Sequence, residues 1–396
     1  MSPQNSRMPN RDEMLAILEE HILPLTKTET LPLTQLCGRI SAKEIRSPTP
    51  LPNTQCASCD GIAFRFNQLQ AGTRSWVEGI EYAFCNTGCH IDDQYDTMME
   101  IECVEFDSNR RLNLTRLPEK QGEGVVPVGK QMRLDEVLVL KGERITPALQ
   151  GILASAGISE AEVLLKPKVA FLPTGDELVP LGTNPLPLGK SMESNGLMLK
   201  ALLTQWGCEA IVFPVTQDKP SALTSAVDAA LEEADLAIIC AGSSKGTKDF
   251  TIDTLAQMGE MLVHELDHGP GKHCSLFMIN GKPVMGLPGP PGGAELTARL
   301  YVQAAVRRLL MQPIPQPYTV EATLTKPVNG LFIDFIIRLH LFMQDGRMMA
   351  EPIKGFGSTR REAYLAANAQ FYLKKEVNLE AGACVLAEWL AEPEYM

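Results

Sequence analysis

The chain has 396 residues, 44% of them hydrophobic and 21% charged, which is globular composition and excludes a disordered or fibrous protein. At roughly 100 to 200 residues per domain this length implies about two to four domains. Lys and Arg number 36 against 48 Asp and Glu, a net charge of -12. That charge argues against holding nucleic acid or an anionic membrane by bulk electrostatics, so a phosphate-bearing ligand has to be gripped by local geometry.

The opening MSPQNSRMPNRDE is polar and lacks the apolar centre of a signal peptide, and no later apolar run approaches the roughly 18 residues of a membrane span. The expectation is a cytoplasmic protein with no membrane span. Ten irregularly spaced cysteines without a secretory signal read as reduced thiols.

Residues 11–22 (RDEMLAILEEHI) place apolar side chains at helical spacing, and a second apolar cluster surrounds LPLTQLCGRISAKEI, where Gly38 can stop a helical segment. From Ser47 to about Val128 the pattern changes to short β-like runs broken by Pro, Gly, Asn and Asp. Residues 144–166 return to helix and end in a strand at VLL. Residues 47–128 therefore read as a β-rich domain inserted into a discontinuous N-terminal helical and linking domain, residues 1–46 and 129–166. From Pro167 strands and helices alternate: KVAFL, SNGLMLKALLTQWG, EAIVFPV, SALTSAVDAALEEA, LAIICAG, DFTIDTLAQMG, PVMGL, GAELTARLYVQAAVRRLL. This order predicts an α/β domain over residues 167–313 on a doubly wound, mostly parallel sheet. The proline-rich MQPIPQPY marks a linker, and residues 314–396 read as a C-terminal β domain.

In such a sheet, ligands bind beyond the carboxyl ends of the strands, where loops lead into helix N-termini with free N–H groups. That rule selects Pro173 to Glu177, Thr216 to Asp218, Gly242 to Asp249 and Pro288 to Gly293. The third loop is the most phosphate-like, because Gly242 and Gly246 permit close backbone approach and Ser243 and Ser244 add hydroxyl donors. A glycine-serine turn is equally the form of a tight strand-to-helix connection. Glu177, Asp218 and Asp249 fall on the same rim, each able to serve only as a helix cap or solvated charge. Together, beside an anion, they call for a divalent cation. Hard oxygen donors favour Mg²⁺, with Glu177 and Asp249 as its candidate ligands.

These residues resemble the molybdopterin molybdenumtransferases, the bacterial MoeA proteins and the gephyrin E domain. The likeness runs through LCGRISAKEIRSP, CASCDGIAFR, CNTGCHIDDQYDTMMEIE, KGERITPALQGILASAGI, FLPTGDELV, CAGSSKGTKDF, GPGK, GLPGPPGGA and GFGSTRREAYLAANA, nearly the whole chain. The resemblance implies a central molybdopterin-binding fold in a four-part subunit of a homodimer, a β-rich domain of the partner subunit closing the cleft. It implies insertion of molybdate into adenylylated molybdopterin with release of AMP, assisted by Mg²⁺. It further implies an adenylyltransferase partner that supplies the substrate and a molybdoenzyme that receives the product. By the same resemblance Asp60, Thr87, Glu177, Asp218 and Asp249 are catalytic, while Gly242, Ser243, Ser244, Gly246, Lys272, Pro288 and Pro291 bind substrate.

Some positions depart from the family pattern. Two family lysines are replaced by Glu265 and Gly269, an acidic residue by Gln131, and the GLPGNPVSA-like turn carries Pro290 and Gly293. Each lost cation weakens an anion site by about 1 to 3 kcal/mol. Lys245, Lys248 and His268 are candidates to compensate. The departures open a second reading, a catalytically weakened paralogue that binds molybdopterin or finished cofactor and delivers it to a partner enzyme.

Two further motifs compete for attention. His264 to His268 spells H-E-x-x-H, but Gly269 and Pro270 follow at once, and a strand or loop is expected in place of the helix a zinc protease needs. Cys56, Cys59, Cys85 and Cys89 have spacings compatible with a metal or redox site and equally with small thiols packing a β module.

Overall fold

The run Lys168–Pro173 (β1) is buried at every position after the first. A continuous apolar run is what a strand covered by helices on both faces requires. The computed structural model describes residues 8–70, 76–108, 112–241, 250–353 and 366–390. After β1 come helix α1 (Asn195–Gln205), β2 (Glu209–Val212), α2 (Pro220–Glu233), β3 (Leu236–Ala241), α3 (Phe250–Met258), β4 (Glu260–Val263), β5 (Ser275–Ile279), β6 (Lys282–Pro288) and α4 (Pro291–Thr297). They build one six-stranded sheet in the order β2-β1-β3-β6-β5-β4. The pairings β2 with β1, β1 with β3 and β3 with β6 are parallel.

The other two pairings are antiparallel, and β4 and β5 were not among the expected strands. Their cause is local. Asn280 and Gly281 join β5 to β6 with φ of 53° and 73°, the left-handed pair of a two-residue hairpin turn. The sheet is thus mostly parallel, with an antiparallel edge.

Alternate residues of each inner strand face opposite layers. Ala170, Leu172, Ile239 and Val284 pack with Leu223, Val227 and Leu231 of α2 and Leu255 of α3. On β1 the intervening Phe171 lies against the start of α1 at Gly196. The Lys282 ammonium donates to the carbonyls of Leu231 (2.6 Å) and Ala234 (2.9 Å), closing the C-terminal end of α2 against the sheet.

The same compact unit, residues 1–27 with 165–396, holds the C-terminal β structure. Strands β7 (Thr319–Leu324), β8 (Asp334–Gln344), β9 (Arg347–Pro352), β10 (Ala369–Leu373) and β11 (Cys384–Trp389) run in the order β8-β9-β7-β11-β10, and β10 returns to β8, so the five strands close into a barrel. A short strand, His268–Gly269, adds to Asp334 and Phe335 of β8. The N-terminal helix Arg11–His21 starts in a capping box of Asn10 and Glu13, and its Arg11 pairs with Glu388 of β11 at 2.6 Å.

Residues 28–164 form the second compact unit. Within it Thr28–Pro32 pairs antiparallel with Glu160–Leu164, and Leu36, Val139, Ile145, Leu153 and Val163 make a small core under the helix Pro147–Ser155. The β-rich module is centred on Gly61–Phe64, flanked by Tyr82–Cys85 and Thr97–Glu100. Among the described residues no helix is long and apolar enough to cross a membrane.

Candidate active site

The chain leaves β1, crosses to β2 on one side and returns to β3 on the other, so a topological switch point lies between the carboxyl ends of β1 and β3. Thr174 fastens that point: its N–H and hydroxyl donate to the Cys240 carbonyl at 3.3 and 3.0 Å. Gly175 follows with φ of 143°, and a Cβ there would lie 2.7 Å from the Glu177 carboxylate, which folds back over it. The backbone angle calls for glycine, while the carboxylate, at the end of a flexible side chain, would have to move aside for any larger residue. Gly175 also donates to the Thr216 carbonyl, joining the β1 and β2 exits.

That junction brings carboxylates together. The Asp176 N–H donates to Asp218 Oδ2 and the Asp218 N–H donates to Asp176 Oδ1, each at 3.3 Å. The Asp218 carboxyl is held above its ordinary pKa, first by burial and then by the charges of Asp176 and Glu177. Asp176 was not nominated from the sequence, although it stands in the PTGDE run; its adjacency to Glu177 on the rim was the available signal. Lys190 donates to the Asp176 carbonyl at 2.6 Å.

At the β6 exit, Pro288 is buried and Pro291 opens α4 in the first turn, where its missing N–H costs nothing. The Gly289 carbonyl between them accepts from the Asn195 side chain at 2.9 Å. The Asn195 amide N–H also donates toward the Cys240 sulfur, a contact that opposes the stronger upward push of burial on the thiol pKa. Asn195 is a second residue that sequence reasoning passed over. Its signal was a polar side chain opening an otherwise apolar helix.

Lys272, the cation kept from the family pattern, lies 3.5 Å from Glu265, which also accepts from His273 at 2.9 Å. The expected compensation by His268 does not hold. That ring is fully buried, its Nε2 is 2.5 Å from the Tyr301 hydroxyl, and burial lowers its pKa to about 4, so it is neutral. His264 is exposed and lies outside any helix, so the H-E-x-x-H run has no histidine pair on a common helical face.

In the other unit, Asp60 Oδ1 accepts from both the N–H (2.7 Å) and the hydroxyl (3.0 Å) of Thr87. These two bonds hold the Asp60 carboxyl below its ordinary pKa. Beside them Cys56 and Cys85 are buried, Cys59 is half-buried and Cys89 is exposed, all as free thiols. Gln131 is exposed and its N–H donates to the Leu51 carbonyl. Gly242, Ser243, Ser244, Lys245, Gly246, Lys248 and Asp249 lie outside the described residues. Among the described residues no group of three or more His, Cys, Asp or Glu side chains is arranged to hold a metal ion.

Two family descriptions match the chain. Residues 10–157 match the MoeA N-terminal region (domain I and II), and residues 170–308 match a probable molybdopterin binding domain. A molybdopterin molybdenumtransferase of Haemophilus influenzae is 29% identical over 392 residues, covering 94% of this chain and 96% of its own length. One of Bacillus subtilis is 28% identical over 357 residues, covering 84% and 83%. The crystal structure of a molybdopterin biosynthesis MoeA protein from Pyrococcus horikoshii superposes with a TM-score of 0.83 at 26% identity, over 98% of this chain and 100% of that one. These matches together place the chain in the molybdopterin molybdenumtransferase (MoeA) family.

Proposed function

We propose that the protein inserts molybdenum from molybdate into adenylylated molybdopterin and releases AMP, acting in the cytoplasm as a homodimer with Mg²⁺. The observation that carries this reading is the meeting of Asp176, Glu177 and Asp218 at the β1 and β2 exits of a sheet matched as molybdopterin-binding. The reading extends to a four-part division at residues 1–46 with 129–166, 47–128, 167–313 and 314–396.

The chemistry of the carboxylates suits Mg²⁺. Their oxygens are hard, and Asp218, driven toward protonation first by burial and then by the charges of Asp176 and Glu177, is a carboxyl that a cation would return to its ionised form. Glu177 and Asp249 would hold it, and it would supply charge neutralisation between the carboxylates and the substrate phosphates. The protein's own groups do the positioning. The Pro288 to Pro291 turn and the loop from Gly242 to Gly246 receive phosphate oxygens, and Lys272 offers a cation to the oxyanion; in the other unit, Asp60, kept ionised by Thr87, is a catalytic carboxylate in its own right. Catalysis is then orientation and electrostatics, without a covalent enzyme intermediate.

Glu177→Ala is expected to abolish molybdate-dependent AMP release from adenylylated molybdopterin; turnover at the parent rate would remove Glu177 from the mechanism. One observation favours the delivery reading: Glu265 neutralises Lys272. Tight pterin binding by the parent protein with no AMP release would select it.

A further inference from the structure

Among the described residues, one polar atom at the strand ends has no partner. Asn195 stands at the start of the eleven-residue helix α1 and is 8% exposed, and its Oδ1 is fully buried without a hydrogen bond. A buried acceptor left unmade is costly, and such groups are rare in folded proteins. The side chain has no freedom to turn away, because its Nδ2 is committed to the Gly289 carbonyl at 2.9 Å. Reversing the amide would set oxygen against oxygen. The acceptor is therefore fixed in orientation, between the start of α1 and the β6 exit turn, on the edge where Asp176, Glu177 and Asp218 meet.

The chemistry of the missing partner is restricted. Ionised phosphate and molybdate carry only acceptor oxygens, so neither satisfies Oδ1. An N–H does, and adenylylated molybdopterin brings ring N–H groups on the pterin and two exocyclic amino groups, one on the pterin and one on the adenine, the amino groups projecting furthest from their rings. We propose that Asn195 is a substrate-binding residue whose Oδ1 accepts a hydrogen bond from a heterocycle amino group of the bound substrate. This rests on the functional reading above and adds to it a contact that selects the ring rather than the phosphates. Its Nδ2 meanwhile couples ring recognition to the Pro288 to Pro291 turn.

The test is a cycle between residue and ligand on the full-length protein with Mg²⁺. Calorimetric titration compares pterin-6-carboxylate with lumazine-6-carboxylate, and AMP with IMP; each second probe carries an oxo group where the first carries an amino group. In the parent protein one of the two swaps is expected to weaken binding at least about tenfold, and in Asn195→Ala the same swap should change affinity less than about twofold. The pair that responds identifies the ring. Equal ratios in both proteins for both pairs, as a ribose hydroxyl or a trapped water on Oδ1 would give, overturn the proposal while leaving the functional reading intact. A folded parent protein that binds none of the four probes removes the functional reading, and this proposal with it. Because each ratio is taken within one protein, general weakening cancels, and Asn195→Ser gives the same comparison should the alanine variant not fold.

Discussion

Three acidic side chains within reach of one another raise the proton affinity of the least solvated, and Asp218 is that residue. Asp176→Asn removes the nearer charge and is expected to bring the Asp218 pKa down toward its ordinary 3.8, read from its carboxyl resonance in a pH titration by NMR. Because the folded-state value lies above the unfolded one, the contribution of Asp218 to stability is full below pH 3.8 and is lost as pH rises through the raised pKa. In Asp176→Asn that loss should shrink; an unmoved resonance would show that burial alone sets the shift. Glu177 and Asp218 were legible in the sequence because strand-end loops can be located by pattern. The Asp176–Asp218 pair was not, since it spans 42 residues and depends on β1 and β2 lying side by side. The neutral state of His268 was equally hidden, because only the fold puts Tyr301 against its ring.

Among the elements, helices α1, α2 and α3 could be read from apolar spacing and strands β1, β3 and β6 from continuous apolar runs. Strands β4 and β5 escaped although Asn280-Gly281 is a strong hairpin signal between SLFMI and KPVMGL. The expectation of strict strand-helix alternation overrode it. The same hairpin places Lys282 where its ammonium meets two carbonyls at the end of α2. Hydrogen bonds to a charged group contribute about 1.5 to 3 kcal/mol each in favourable settings. Lys282→Met keeps the stem and loses both donors, but the site is only half-buried and water replaces most of their contribution, so a loss of about 1 to 2 kcal/mol is expected in urea unfolding, with pterin binding retained in the folded fraction. A midpoint equal to that of the parent would mean that water replaces the ammonium at no cost.

For the whole molecule, the β-rich module, the α/β part and the C-terminal β structure were all legible as changes of pattern along the chain. Closure of the C-terminal strands into a barrel was not, because the return of β10 to β8 is a contact between distant segments that leaves no periodic trace. The dependence of the proposed reaction on a divalent cation is a property of the assembled protein. Stripping with a chelator is expected to stop AMP release, and Mg²⁺ to restore it; full turnover in the stripped protein would mean that the carboxylates serve some other purpose.

The short strand His268–Gly269 lies three residues before Lys272 and is laced into the wall of the barrel through Asp334 and Phe335, while its histidine is pinned to the buried Tyr301 in the helical segment after α4. The lysine is in this way mounted on a bracket with one foot in each of two substructures. Sequence drift in the barrel is therefore transmitted to the position of this lysine, which under the proposed function is the cation offered to the oxyanion.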